Sequence, residues 1–459
     1  MPNERDDGYL TKDEWIKIGD LTRQCADSCR IDPKFYSQYD VKKGLRDLDG
    51  RGVLAGLTEI SEVKATAEVD GKRVPAPGEL YYRGYNVNDL VKGFLEDKRY
   101  GFEETAYLLL TGKLPGAKEL RSFCDLLGEF YTLPKNFVRD IIMKSPSEDM
   151  MNSLMRCVIS LFPYDPNPNN TAPDNVMRQC LQLIAQVPIF SVYSYAASSF
   201  YNKSDSLVIH RPRTDLSMAE NILYMLRQDC SYTELEARVL DMALVLHAEH
   251  GGGNNSSFTT HVVTSSGTDT YSAIVAALAS LKGPRHGGAN IRVMRMFEDM
   301  KSNIDTRDDD QLRAYLEALV DGKAFDGAGL IYGIGHAVYS VSDPRAKIFK
   351  GFVEKLSYEK GLHDEYNLYA RVEQFAPEII SQKRKMYKGV SANVDFYSGF
   401  AYSMLNIPIE LYTPIFAIAR MAGWSAHRME ELVNAGKIIR PAYQAVAEHR
   451  EYVPMKDRK

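Results

Sequence analysis

The stretch DTYSAIVAALASLK, residues 269–282, is rich in alanine and apolar on nearly every side. A helix with no polar face belongs inside a body of other elements. Gly283-Pro284 stops it, because proline cannot continue a helix and glycine favours its end. The stop delivers His286 into a Gly-Gly turn, in the run LKGPRHGGAN. One segment therefore predicts both a buried helix and a histidine at its end.

The neighbouring sequence continues the helical pattern. From residue 88, NDLVKGFLEDKRYGFEETAYLLLTGKLPGAKELRSFCDLLGEFY places apolar residues three and four apart, and Gly-Lys-Leu-Pro interrupts it. Within 216–250, Ser231-Tyr-Thr-Glu234 reads as a capping box. Leu235, Val239, Met242 and Leu246 follow on one face, with His250 next on that stripe and Gly251 to Gly253 as the stop. Residues 53–85, VLAGLTEISEVKATAEVDGKRVPAPGELYYRGY, differ: Val, Thr, Gly and Pro with DG and PG turn signals predict short strands. Strands do not alternate with helices, so a Rossmann-type sheet is not expected. The first 45 residues are polar and mixed in sign, as in a helical arm or a loosely held extension, and 163–175 reads as a surface loop. The expected fold class is mostly α, in two or three lobes for 459 residues.

Charge and composition exclude several classes of function. A net charge of −5 argues against nucleic acid held by general positive charge. The charged N-terminus does not read as a signal peptide, and no run of 18 apolar residues suggests a membrane span. Six cysteines without a CxxC pair read as reduced, buried thiols.

Three histidines share a glycine context: HAEHGGGNN around His250, GPRHGGAN around His286 and GIGHAV around His336. Glycine lets backbone approach a ligand closely. One such histidine could simply cap a helix; three in the same setting point to a ligand site. His247 and His250 are three apart, which does not match the spacing of four in HExxH, and no metal site is expected. GAGLIYGIG (327–335) lacks the lysine and the strand–helix context of a nucleotide loop. Arg345, Arg420 and Arg440 lie in or beside apolar stretches, where an unpaired guanidinium is costly. A bound carboxylate would offset that cost, and so would a protein carboxylate. Asp395, in SANVDFYSG, suits a general base in an apolar setting, or else the N-cap of the following helix.

These pieces together resemble the citrate synthase family along most of the chain. The matching runs are GLTEIS, YYRGYNVNDL, FEETAYLLLTGKLP, LHAEHGGGNNSSFTTH, LKGPRHGGAN, GIGHAVYSVSDPRA, SANVDFYSGF, IFAIARMAGWSAHRME and IIRPAY, in that order. The resemblance implies a two-domain helical fold: an N-terminal extension over 1–45, a large domain over 46–289 and 393–459, and a small domain over 290–392. It implies a homodimer that closes around its substrates without metal or cofactor; the reduced thiols, the charge and the lack of a long apolar run add the expectation of a cytoplasmic protein without nucleic acid or membrane.

The resemblance also implies roles. Asp395 would take a proton from the methyl group of acetyl-CoA, and His286 would hydrogen-bond the thioester oxygen. His336 would polarise the ketone of oxaloacetate. His250, Arg345 and Arg420 would bind its carboxylates, with Arg440 contributed across the dimer interface. Some family members carry an arginine where this chain has Ala337 or Ser340, so Lys385 and Lys388 become the candidates for CoA phosphates. The implied reaction is condensation of acetyl-CoA with oxaloacetate, then thioester hydrolysis to citrate and CoA. The alternatives are a 2-methylcitrate synthase using propionyl-CoA, a lyase running citryl-CoA chemistry backwards, and a non-catalytic ligand-binding relative.

Overall fold

The computed structural model describes residues 11–47, 51–335, 338–384, 389–434 and 436–458. They form two compact units: Gly56–Ile439, and a smaller unit made of the chain ends, up to Ala55 and from Arg440.

In the unit of chain ends, helix α1 (Lys12–Ser28) starts at a capping box between Thr11 and Glu14, and a short α2 (Lys34–Gln38) follows. The described part of the polar N-terminal stretch is therefore largely helical. Neither helix buries a residue, and Trp15, Ile16 and Leu21 are exposed. This corrects the reading of the cysteines. Cys157 and Cys180 are buried, but Cys25 and Cys29 are exposed on or next to α1, with their sulfurs 3.8 Å apart.

The larger unit opens with an antiparallel sheet in the order β1 (Ser61–Val69), β2 (Lys72–Tyr82), β3 (Tyr85–Asn86). The DG signal makes the first hairpin: Asp70 and Gly71 have φ of 52° and 72°, the left-handed pair a tight two-residue turn requires. The PG signal does not make a turn. Pro77-Gly78 lies inside β2, where Gly78 N–H donates to Ser342 O at 3.0 Å. A Cβ at Gly78 would fall 2.2 Å from that oxygen and 2.4 Å from the Tyr339 ring. The glycine serves a close approach between two segments of the chain rather than a bend.

Helices make up the rest. They are α3 (Val87–Glu96), α4 (Phe102–Thr111), α5 (Ala117–Glu129), α6 (Met150–Ile159), α7 (Pro173–Lys203), α8 (Met218–Leu226), α9 (Glu234–His247) and α10 (Asn255–Thr264). After them come α11 (Thr270–Lys282), α12 (Ala289–Asn303), α13 (Asp309–Val320), α14 (Pro344–Glu359), α15 (His363–Arg384), α16 (Val394–Met404) and α17 (Tyr412–Val433). The chain is mostly α, as its periodicity predicts.

Helices α7 and α17 pack together at the centre. Helix α7 is long and apolar enough to cross a membrane, but 83% of its most apolar window is buried inside the fold, as in a core helix. Helix α11 packs against α6, α10 and α17 and buries Tyr271, Ile274, Leu278 and Leu281. Its other side is half-covered, with Ala279 exposed.

Helix α9 departs from its expected frame at both ends. The capping box is Thr233 with Glu236, two residues later than Ser231 with Glu234. Both pairs fit the pattern, but Glu236 also ion-pairs with Arg227 at 2.7 Å and Lys360 at 2.5 Å. The helix ends at His247, so His250 lies beyond it.

Candidate active site

The segment 248–254 joins α9 to α10 and carries His250. One face of α17 holds it in place through residues 420, 423, 424 and 427, spaced at helical periodicity. Arg420 Nε donates to His247 O at 2.7 Å. Gly423 leaves room for the segment: a Cβ there would lie 2.4 Å from Ala248 O and 2.3 Å from Glu249 Oε2. Trp424 Nε1 donates to Ser256 Oγ at 3.0 Å, and His427 Nε2 lies 3.0 Å from Glu249 Oε1. From the other side, the Tyr82 hydroxyl donates to Val245 O and Glu249 O. His250 is buried, and its ring stands edge-on to Tyr339 at 5.5 Å between centroids.

His286 occupies the turn after α11, where Gly287 N–H donates to Leu281 O at 3.0 Å. A Cβ on Gly287 would lie 2.3 Å from that oxygen, so the second half of the RHGG run needs glycine. His286 Nε2 lies 3.2 Å from Ser256 Oγ, the same hydroxyl that Trp424 binds. Burial, then the charge of Arg420, pushes the His286 pKa down to about 4. The imidazole is neutral at neutral pH.

Asp395 sits in the first turn of α16. It is not the cap, because Asn393 holds that position and its side chain accepts from Asp395 N–H at 3.0 Å. Burial raises the Asp395 pKa to about 6; Arg345 and Arg420 pull it down and Asp343 pushes it up.

Asn393 also binds the glycine loop. Its N–H donates to Gly333 O at 2.9 Å, its Nδ2 to Gly335 O at 2.8 Å, and Gly335 N–H donates to Ser391 O at 2.8 Å. Gly333 has φ of 80° and would place a Cβ 2.9 Å from Phe396 Cα. The run GIG is thus stitched backbone to backbone onto SAN, immediately before Asp395. His336 lies outside the described residues, as do Lys385 and Lys388.

The two buried arginines differ. Arg345 begins α14 beside its N-cap, Asp343, which takes its guanidinium through Nε at 3.1 Å and Nη2 at 2.7 Å. Burial works against that charge, but Asp343 outweighs it and raises the Arg345 pKa. The cost of burying Arg345 is therefore met by a protein carboxylate. Arg420 is fully buried with both terminal nitrogens unpartnered among the described residues. Burial lowers its pKa, opposed most strongly by the charge of Glu249.

Arg345 and Arg420 both act on Asp395 and on the buried Tyr82, and Arg420 also acts on His286. Phe416 contacts the rings of His247 and His286 and the guanidinium of Arg420. His286, Arg345, Arg420 and Asp395 therefore share one neighbourhood, and His250 joins it through Tyr339, whose ring lies 5.9 Å from the Arg345 guanidinium. Arg440 is exposed and belongs to the unit of chain ends.

Sequence reasoning gave no role to Asp343, Ser256, Trp424, Glu249, His261 or His427. Asp343 had a local signal, as the cap in SDPR. The others are joined by contacts across about 170 residues, which no short-range pattern reveals. One group of described residues has metal-ligand composition: His261, His427 and Glu430, with donor atoms within 4.8 Å of one another. Their ring nitrogens are engaged with one another and with carboxylates.

The arrangement can remove a proton at Asp395, donate a hydrogen bond from neutral His286 and hold an anion at Arg420. Comparison with known proteins identifies the family. Residues 45–442 match the family described as citrate synthase, C-terminal domain. Citrate synthase of Synechocystis is 34% identical over 88% of this chain and 93% of its own length. 2-Methylcitrate synthase 1 of Corynebacterium glutamicum is 32% identical over 92% of this chain and 100% of its own. Among solved structures, citrate synthase of Thermoplasma acidophilum, in a ternary complex with carboxymethyl coenzyme A and oxaloacetate, superposes with a TM-score of 0.73. It is 28% identical and covers 91% of this chain and 99% of its own. This chain belongs to the citrate synthase family of acyltransferases.

Proposed function

We propose that this site condenses acetyl-CoA with oxaloacetate and hydrolyses the resulting thioester to citrate and CoA. The observation that carries the reading is Asp395. Its carboxylate is released from capping by Asn393, held near pKa 6, and placed in one electrostatic neighbourhood with Arg420 and a neutral His286. A base with a pKa close to the working pH is suited to proton abstraction.

Asp395 takes a proton from the methyl group of acetyl-CoA. Neutral His286 donates a ring N–H to the thioester oxygen. The enol so formed attacks the oxaloacetate ketone, which His336 polarises: a carbon–carbon bond forms as the ketone π bond breaks, and the ketone oxygen takes up a proton to become the hydroxyl. Water then cleaves the carbon–sulfur bond and CoA leaves as the thiol. Arg420 holds a substrate carboxylate with its unpartnered nitrogens; His250 and Arg345 complete that pocket. The complex of the Thermoplasma relative, with oxaloacetate and a CoA analogue, supports this pair of substrates.

The same reading includes closure of a small domain, residues 290–392, and a homodimer to which Arg440 contributes. Exposed Trp15, Ile16, Leu21 and Tyr443 support an interface at the chain ends. Lys385 and Lys388 take the CoA phosphates. No metal or organic cofactor enters the scheme, because base, hydrogen-bond donor and anion anchor are all side chains.

Relatives bearing both names at 32–34% identity favour one second reading, a 2-methylcitrate synthase acting on propionyl-CoA. Thiol release at saturating oxaloacetate decides between them: the proposal expects the higher kcat/KM with acetyl-CoA. A higher value with propionyl-CoA moves the assignment and leaves the residue roles intact.

A pH profile tests the base. Asp395 is active when ionised, so activity is present above its pKa and lost as pH falls through about 6. The expected result is an acid limb in kcat/KM centred near pH 6. A profile flat down to pH 5 would contradict the role given to Asp395.

A further inference from the structure

Behind His250 lies a chain of charged and ionisable side chains that the scheme above does not use. Glu249, the residue before His250, is fully buried. Its Oε1 accepts from the Ser61 hydroxyl at 3.0 Å and ion-pairs with His427 Nε2 at 3.0 Å. His427 is fully buried on α17, and its Nδ1 lies 3.0 Å from His261 Nε2, on α10. His261 Nδ1 then reaches Glu431 Oε2 at 2.8 Å. Glu430 approaches His427 Nδ1 at 3.8 Å while accepting from Glu59 N–H at 2.7 Å.

The proton positions of this chain are mutually consistent. With protons on both its nitrogens, His427 faces Glu249 with one N–H and gives the other to His261 Nε2. That leaves His261 neutral, with its remaining N–H for Glu431. Both ring nitrogens of His261 have hydrogen-bond partners, His427 Nε2 meets Glu249 as a close ion pair outside hydrogen-bond geometry, and no two protons face each other. A tertiary network of buried ion pairs and hydrogen bonds rigidifies what it joins. Here it joins α10, α17, the residues before β1 and the segment carrying His250.

We propose that the Glu249–His427–His261–Glu431 chain is a positioning element that fixes His250 and the Arg420 side of the pocket for the four-carbon substrate. This rests on the functional reading above. His427 and His261 act through Glu249 and touch no substrate. Through the same backbone segment, Arg420 binds His247 O and Gly423 lies against Ala248, so a shift at Glu249 is felt at the anchor.

A pH dependence follows. Burial disfavours the His427 charge, but Glu249 outweighs it and raises its pKa to about 9, with Glu430 adding to the effect. Burial and the charge of His427 lower the pKa of His261. Glu249 is also held charged, its pKa near 2, with His427 and Arg420 offsetting its burial. The His427 charge is present below pH 9 and lost above it, which leaves Glu249 without its ion-pair partner.

The test is steady-state kinetics on the full chain, comparing wild type with His427→Gln, His261→Gln and Glu249→Gln. The expected result for His427→Gln is an oxaloacetate KM raised about tenfold, with the acetyl-CoA KM within about twofold of wild type. Wild-type KM for oxaloacetate should rise above pH 9, and that rise should vanish in His427→Gln. Glu249→Gln should add little on top of His427→Gln, because both remove one ion pair. Where His427→Gln fails to fold, His261→Gln, at a partly exposed position, should show the same selective rise at smaller size. Unchanged oxaloacetate KM, or equal losses against both substrates, would overturn the positioning role while wild-type turnover stands. Wild type inactive with either acyl-CoA would remove the functional reading and this inference with it.

Discussion

Asp395→Asn is expected to lower kcat by ~10²–10⁴ and to leave oxaloacetate affinity within about twofold. The asymmetry comes from the structure. The carboxylate caps nothing, since Asn393 holds the N-cap, and the amide has the same shape. What the substitution removes is the ability to accept a proton. Calorimetric titration with oxaloacetate reads the binding, and thiol release reads the chemistry. Wild-type kcat in the variant would show that proton abstraction belongs to another group.

Arg420→Met is expected to raise the oxaloacetate KM by ~10–150-fold, the equivalent of a charge-assisted contact of about 1.5–3 kcal/mol. Methionine keeps much of the length and apolar surface while removing the two nitrogens that have no partner among the described residues, together with the Nε that holds His247 O. Lysine should restore little, because a point charge does not reproduce a planar fork at a carboxylate. A second readout separates this from lost packing. Arg420 pulls the Asp395 pKa down. Removing it lets that pKa rise, so the acid limb of kcat/KM should move to higher pH. A raised KM with an unmoved limb would mean that Arg420 acts only by packing. Arg345 contrasts with it: truncating Arg345 would strand Asp343, a fully buried carboxylate, so stability as well as binding should suffer.

Much of the fold was legible because helices announce themselves locally. Periodicity located the helical body, the DG pair located the first hairpin, and Gly283-Pro284 located the turn that holds His286. The errors in placing caps, turns and helix ends share one physical cause, competition from distant partners. Two capping boxes fit the sequence before α9, and the one whose glutamate also pairs with Arg227 and Lys360 forms. Pro77-Gly78 looks like a turn until the chain at Ser342 arrives against it. The apolar stripe of α9 runs on to His250, but the helix ends at His247, where the backbone meets Tyr82 and Arg420.

The site was legible in its residue types and less so in its pairings. Asp395 and Arg420 stand where their apolar contexts suggested. Arg345 has a partner two residues away, in a cap that SDPR encodes. The chain from Glu249 to Glu431 left no local trace, because its histidines come from helices 166 residues apart in sequence.

The central claim is that this site makes a carbon–carbon bond between acetyl-CoA and oxaloacetate. Mixing the purified chain with both and following thiol release, with the acid product identified, tests it most directly. The account predicts CoA release that depends on oxaloacetate, with citrate formed in equal amount. Folded protein that binds oxaloacetate yet releases no thiol from acetyl-CoA or propionyl-CoA would contradict it.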